Sequence, residues 1–260
     1  MRSNTTANCI MLIRVKVLPC EVRIKSTSVS FSSAMTSLEI LFEDNHLLAI
    51  NKEPGILVQG DETGDKPLVE MAKEFIKSKY NKPGEVFLGV VHRLDRPVSG
   101  IVVFARTSKA LSRMNELFRY RETEKVYWAV TDSKPTPPED TLIHWLSKDE
   151  KKNKTTVFSR ETKGALKSEL GYTLIGASGG NYLLEVRLIT GRSHKIRAQL
   201  AAVGCSILGD LKYGSTFQTG DGSIALHARQ LTFVHPVRKE SLVLSAMPPD
   251  RQWWMAFENK

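Results

Sequence analysis

One acidic residue, Asp95, stands between two arginines in the segment VHRLDRPVSG, which covers residues 91–100. The apolar runs on either side of it, GEVFLGV and IVVFAR, predict two buried strands. Asp95 would then lie in a loop held between core strands, where catalytic groups are often placed. A carboxylate that is partly desolvated beside a guanidinium stays ionised, as a nucleophile or general base must. A surface salt bridge is the competing interpretation.

A second group of candidates lies in LITGRSHKIRAQLAAVG, residues 188–204, where a predicted strand runs into a predicted helix. His194 and Arg197 are three apart and would share one face of that helix. Arg197 could pair with a buried carboxylate, while Arg192 and Lys195 could hold phosphates near the helix N-terminus. A solvated basic helix face is the alternative.

Elements on both sides of these motifs must position them. The segment EILFEDNHLLAINK predicts a β-hairpin that turns at Asp44-Asn45. Helical spacing of apolar residues follows in LVEMAKEFIKSKY and again in TSKALSRMNELFRYRE, where Thr107 and Ser108 are candidate caps. Apolar runs then predict several strands, so we expect one mixed α/β domain in which strands outnumber helices.

The net charge indicates what kind of partner the protein binds, and the cysteines indicate which sites and compartment fit the chain. The formal net charge of +9 favours a polyanion, with nucleic acid first and an anionic membrane surface second. No stretch approaches the roughly 20 apolar residues that span a bilayer. Cys9, Cys20 and Cys205 have no metal-like spacing, which argues against a zinc site or a disulfide framework and fits the reducing cytoplasm.

The first 36 residues differ from the rest of the chain. They are basic, rich in serine and nearly free of acids, and Arg14 and Lys16 interrupt their apolar part. A transit peptide, a short extra strand and a misread start are all open, and we favour a poorly ordered extension. We assign residues 37–260 to a single domain.

Five motifs follow one another along the chain: HRLDRPVSG, KVYWAV, TGRSHKIRAQL, GDLKYG and LHARQLTFVHP. In order and spacing they resemble the RluA-type family of RNA pseudouridine synthases, and LLAINKEPGILV resembles that family's opening motif. The likeness covers about residues 38–246. Val98 stands where many members have Thr, and Lys195 stands where Gln is usual, which puts substrate preference in doubt rather than chemistry. We find no S4-type RNA-binding domain.

The resemblance implies an α/β (α+β) fold with a mixed, largely antiparallel sheet flanked by helices, and a reaction without metal or cofactor. Asp95 would act on the target uridine, Tyr127 would pack on the uracil and take its C5 proton, and Arg197 would keep Asp95 charged. Five residues would bind the RNA: Arg93, Arg192, His194, Lys195 and Leu226. The base must leave its stack to reach them.

Ribosomal RNA is the first substrate that the resemblance suggests, with transfer RNA second, and we expect a monomer. The basic segment KDEKKNKTT, residues 148–156, could select the target or be an exposed charged turn. Two other functions stay open. One is an RNA-binding module without activity; the other is a glycosidase, which needs a second acid at about 5–9.5 Å from Asp95, for which Asp210 is the nearest candidate.

Overall fold

The computed structural model describes residues 38–191 and 194–257. The N-terminal extension assigned to residues 1–36 and the candidate Arg192 lie outside the described residues. The division into an extension and one domain therefore stays a prediction.

Eleven strands form a single sheet within the described residues. The main path through the sheet runs β1-β2-β4-β10-β5-β9-β8-β6-β7, while β3 pairs with β4 and β11 pairs with β10. The strands are β1 Glu39–Glu43, β2 Leu47–Lys52, β3 Gly89–Val90, β4 Ser99–Ala105, β5 Thr123–Thr131, β6 Glu139–Asp149, β7 Lys154–Phe158, β8 Leu166–Ser178, β9 Asn181–Leu188, β10 Leu226–Val234 and β11 Ser241–Ser245.

Four α-helices are present in the described part of the chain: α1 Leu68–Lys79, α2 Ser108–Arg119, α3 Lys195–Ala202 and α4 Gln252–Met255. A short 3₁₀ helix covers Leu211–Tyr213. The hydroxyl of Thr107 caps α2 by accepting a hydrogen bond from the Ala110 amide at 3.1 Å, as the sequence predicts. None of these helices is long and apolar enough to cross a membrane.

The sheet buries both of its faces near β2, because successive side chains of a strand point to opposite sides. Leu48 and Ile50 belong to the larger apolar cluster, which includes Leu68 and Ile76 of α1. Leu47 and Ala49 belong to the smaller one, which includes Met114 of α2. The expected mixed sheet with flanking helices is confirmed.

Nearly all neighbouring strands are antiparallel, and β4 with β10 forms the parallel pair of the described sheet. At this pair Gly100 has φ +114°, and a Cβ on it would lie 2.5 Å from the backbone N and O of Ala228. Only glycine fits, since a side chain would collide with the neighbouring strand. The Gly of the VHRLDRPVSG motif therefore sets how closely β4 and β10 approach.

The strand expected from GEVFLGV is shorter than predicted. Only Gly89 and Val90 pair, with Ala105 and Phe104 at the far end of β4. At the start of β4 the same edge is taken by β10, so the chain that leads to Asp95 has no free partner there. Val86 and Leu88 still bury their side chains, which explains the apolar pattern.

Candidate active site

The loop that carries Asp95 is fixed to two other parts of the chain. The Gly55 amide donates to the Arg96 carbonyl at 2.8 Å, and the Ile224 amide donates to the Pro97 carbonyl at 3.1 Å. Backbone hydrogen bonds from both sides leave the loop little freedom. The motif therefore presents Asp95 in a defined place, as expected of a residue in a loop on a rigid scaffold.

A buried cation, Lys52, lies under this loop. Its ammonium donates to the carbonyls of Glu53 and Ile56 at 2.9 Å and of Arg96 at 3.2 Å. Burial lowers the pKa of Lys52 to about 7, and the negative charge of Asp95 opposes that shift. Sequence patterns did not single out Lys52, although a lysine at the end of a fully buried strand is an unusual core residue.

The Asp95 loop is also tied to β10, the strand of the LHARQL motif. The hydroxyl of Ser99 lies 2.9 Å from Nδ1 of His227, whose Nε2 lies 3.0 Å from the Ala246 carbonyl. Next to this contact, Gly100 pairs with Ala228. Two motifs far apart in sequence thus meet at one point of the sheet, which accounts for their joint presence.

Arg197 stands between two carboxylates. Its Nη1 donates to Oδ2 of Asp95 at 3.1 Å, while Nε and Nη2 donate to Oδ2 and Oδ1 of Asp210 at 2.6 and 2.8 Å. Burial alone would lower the pKa of Arg197, but the hydrogen bonds and charges of both carboxylates outweigh it and raise the pKa. The guanidinium is therefore a permanent positive charge inside the protein.

The two carboxylates are used differently. The Asp210 side chain is 1% exposed and binds Arg197 in bidentate fashion, so it largely neutralises the guanidinium. The Asp95 side chain is 28% exposed, and only its Oδ2 contacts Arg197. Arg197 therefore orients Asp95 without neutralising it, and the exposed carboxylate keeps its negative charge available.

His194 forms the second contact to Asp95, with Nε2 at 3.5 Å from Oδ2. The residue precedes α3 in a left-handed conformation with φ +52°, so the prediction that His194 and Arg197 share a helix face is wrong. The two side chains both contact Asp95 although His194 lies outside the helix.

The Tyr213 hydroxyl orients the imidazole of His194. It accepts a hydrogen bond from the Thr155 amide at 2.8 Å and lies 2.9 Å from Nδ1 of His194. Burial lowers the pKa of His194, and the charge of Asp95 only partly opposes this. We therefore assign the neutral ring that accepts the Tyr213 proton at Nδ1 and carries its own proton on Nε2, towards Asp95.

Tyr127 reaches the same end of the sheet along a row of paired residues. Gly100, Ala228 and Tyr127 are direct partners across β4, β10 and β5. Burial raises the pKa of the Tyr127 hydroxyl, and the negative charge of Asp95 raises it further. The phenol is therefore protonated at neutral pH and lies within electrostatic reach of the carboxylate.

Lys195 does not have the phosphate-binding position expected of it. The side chain is buried, with 2% exposed, and its ammonium donates to the Thr190 carbonyl at 2.9 Å, to the Thr190 hydroxyl at 2.7 Å and to the Glu169 carbonyl. The ammonium is engaged by groups of its own chain, and Lys195 ties the start of α3 to Thr190 and Glu169.

The remaining candidates lie around this centre. Arg93 is exposed on the Asp95 loop, and Leu226 is buried at the start of β10 in the larger apolar cluster. The His92 ring is occupied by contacts within the protein and is not placed as a metal ligand. Its Nε2 accepts a hydrogen bond from the Val103 amide at 3.2 Å, and the ring stacks on Phe118. The described residues contain no group of side chains suited to hold a metal ion.

Three comparisons place this arrangement among known proteins. A family model described as RNA pseudouridylate synthase matches residues 46–202. The chain is 31% identical over 238 residues to a tRNA pseudouridine synthase C of Haemophilus ducreyi, covering 85% of this chain and 94% of the relative. It is 30% identical over 226 residues to a ribosomal large subunit pseudouridine synthase D of Zymomonas mobilis, covering 83% and 71%.

A solved structure agrees with these relatives. The human RNA pseudouridylate synthase domain containing 4 superposes with a TM-score of 0.68 at 26% identity, over 81% of this chain and 88% of that one. The five motifs, the sheet and the relatives thus all indicate the same family. The chain belongs to the RluA-type family of RNA pseudouridine synthases, which are isomerases.

Proposed function

We propose that this protein converts specific uridines of RNA to pseudouridine, with Asp95 as the catalytic carboxylate. The observation that supports this most is the pairing of Asp95 with Arg197, whose charge is already matched by Asp210. Such a carboxylate is oriented, charged and partly open to solvent, as attack on a substrate requires.

The isomerisation needs few chemical groups. The bond between N1 and C1′ breaks, the uracil rotates, a bond forms between C5 and C1′, the C5 proton leaves and N1 gains a proton. No electron or phosphoryl group is exchanged. Because the reacting atoms are covered in a stacked base, the nucleotide must flip out, which costs a few kcal/mol. Asp95 would attack the sugar at C1′ or the base at C6, or would assist loss of a sugar proton through a glycal.

Tyr127 would accept the C5 proton, and the electrostatics of the site suggest when. The phenol must first lose its own proton, which burial and the negative charge of Asp95 both oppose. The phenol proton would go to N1, which gains one proton in the reaction. Attack by Asp95 at C6 would remove its charge while the adduct lasts, whereas in attack at C1′ the forming C5–C1′ bond displaces the carboxylate and restores the charge. Because the C5 proton leaves only after the C5–C1′ bond has formed, its transfer to Tyr127 would follow the attack by Asp95 in both cases.

Substrate binding would involve Arg93, which is exposed on the Asp95 loop, together with Arg192, His194 and Leu226. Ribosomal RNA is our first assignment for the substrate, and transfer RNA the second, since relatives of both names match the chain at similar identity. We also predict that the protein acts in the cytoplasm and as a monomer. Cys205, the free cysteine of the described residues, is buried.

The test is pseudouridine formation by the purified protein on RNA from cells that lack the gene, mapped by carbodiimide labelling. Asp95→Asn should abolish labelling and keep the fold, because Asp210 still holds Arg197. Asp65→Asn is a matched control, since Asp65 forms an exposed ion pair with Arg96 of the same loop and should keep full activity.

Tyr127→Phe should bind RNA and show no turnover, because it removes only the hydroxyl that would accept the C5 proton. If Asp95→Asn or Tyr127→Phe labels the same uridines as wild type, the assigned role of that residue is wrong. If no variant and no wild type adds label to any cellular RNA, the proposed activity itself fails.

A further inference from the structure

The turn between β6 and β7 carries a dense group of cations on the surface. Its lysines are Lys148, Lys151, Lys152 and Lys154, and all four are exposed. The two acids of the turn are engaged locally: Glu150 pairs with Lys148 at 2.6 Å, and Asp149 accepts from the Lys152 amide at 3.1 Å. The ammonium groups of Lys151 and Lys152 contact no carboxylate of the described residues.

This hairpin is fastened to the active site through Tyr213. The Tyr213 hydroxyl accepts from the Thr155 amide of β7 and contacts His194, which in turn lies beside Asp95. The Lys154 ammonium lies over the Tyr213 ring, 5.6 Å from its centre. Only one phenol and one imidazole thus separate the backbone of the hairpin from the Asp95 carboxylate.

A second attachment extends the cations towards Asp210. Lys212 lies two residues after Asp210 and is exposed, and its ammonium donates to the Asn153 carbonyl at the tip of the hairpin at 3.1 Å. Lys212 is therefore held next to Lys151 and Lys152 rather than free to move into solvent. Cations fixed by a scaffold lose less side-chain entropy when they bind an anion.

We infer that the tip of the β6–β7 hairpin, with Lys151, Lys152 and Lys212, binds backbone phosphates of the substrate RNA beside the target uridine. The inference rests on the proposed function and adds a binding surface to it. An ammonium binds phosphate as a point charge, without sequence readout. Contacts to the backbone next to the flipped nucleotide would offset part of the cost of flipping, and Tyr213 would keep that surface in register with Asp95.

The test measures binding of a fluorescein-labelled single-stranded RNA of about 20 nucleotides with one central uridine, by anisotropy over a range of salt concentrations. Lys151→Ala with Lys152→Ala removes two of the proposed phosphate contacts. The slope of log Kd against log salt should fall by about 1.4, or about 0.7 per contact on a single strand. Between about 50 and about 200 mM salt, wild type should therefore lose about sevenfold more affinity than the variant.

A control of equal charge comes from the other end of the sheet. Lys82 and Lys109 are exposed, and they follow α1 and β4 where Lys79 and Arg106 both pair with Glu43. β4 spans roughly 20 Å from the Asp95 loop to this end. The double variant Lys82→Ala with Lys109→Ala should bind with the slope of wild type.

The outcomes separate the surface from the reaction. A hairpin variant whose salt slope matches that of the Lys82 and Lys109 control would overturn the inference, as would a wild type that does not bind the RNA. Circular dichroism checks that both variants are folded. In turnover assays the hairpin variant should raise KM with kcat nearly unchanged. Absence of pseudouridine with an intact salt effect would refute the proposed function and leave the binding surface standing.

Discussion

Asp210→Asn tests the central claim, that a buried carboxylate holds Arg197 in place. The substitution keeps the shape of the side chain and removes one negative charge. Arg197, whose side chain is only 7% exposed, would then share its charge with Asp95 alone. Breaking a buried ion pair by changing one partner costs about 3–5 kcal/mol. Because the Asn oxygen can still accept one hydrogen bond, we expect a loss near 3 kcal/mol.

The loss is measured by urea and thermal unfolding, followed by circular dichroism. For a chain of this size, each kcal/mol shifts Tm by about 2–4 °C, so Tm should fall by roughly 10 °C. Asp221→Asn is the control: its ion pair with Arg251, at 3.2 Å, joins side chains that are 42% and 36% exposed. That change should cost at most about 1 kcal/mol.

Activity provides a second measurement on the same variant. Without Asp210, the guanidinium of Arg197 would draw both oxygens of Asp95, so kcat should fall while the RNA affinity stays close to that of wild type. Adding Arg197→Met to Asp210→Asn removes the unmatched charge and should restore much of the stability, but no turnover. An Asp210→Asn protein as stable and as active as the Asp221→Asn control would refute this account of Arg197.

Two more predictions concern the contact between β4 and β10. Burial lowers the pKa of His227 from 6.5 to about 4, so the unfolded chain takes up this proton at higher pH than the folded protein does. The stability that His227 contributes is present above pH 6.5 and is lost as pH falls towards 4, by up to about 3 kcal/mol. In His227→Gln, the free energy of unfolding measured in urea should therefore depend less on pH over this range. If His227→Gln and wild type show the same dependence of the unfolding free energy on pH, this prediction is wrong. Gly100→Ala should cost about 2–4 kcal/mol and abolish turnover, because its Cβ would collide with Ala228, whereas Gly84→Ala, with open space around it, should change the free energy of unfolding by less than about 1 kcal/mol. Equal unfolding of the two glycine variants would show that the close approach of the strands is unimportant.

Local patterns predicted most of the elements. The hairpin at Asp44, both long helices and the cap at Thr107 depend on residues near one another in sequence, and all are confirmed. The strand expected from GEVFLGV is mostly wrong, since an apolar run shows burial but not whether a strand edge is free to pair. That edge is taken by β10, which lies more than a hundred residues further along the chain.

In the site, too, the sequence predicted what its motifs carry and missed what depends on distant contacts. Asp95 and Arg197 could be paired from sequence because the motifs carry them, and the structure brings them to 3.1 Å. The role of Asp210 could not be predicted, because the sequence offers it only as the nearest candidate for a second acid and does not show that it pairs with Arg197. The conformation of His194 also escaped prediction, since helical spacing says nothing about the residue before a helix.

The buried position of Lys195 changes the meaning of a departure from the family pattern. A Gln at this place is neutral and offers both a donor and an acceptor, whereas Lys195 brings a charge with donors only. The structure meets this charge with the carbonyl and hydroxyl of Thr190 and the carbonyl of Glu169, all acceptors. The substitution therefore changes the groups that tie the start of α3 to Thr190 and Glu169. We expect any effect on substrate choice to act through the position of His194, so the lysines of the β6–β7 hairpin are the better place to look for contacts to the RNA backbone.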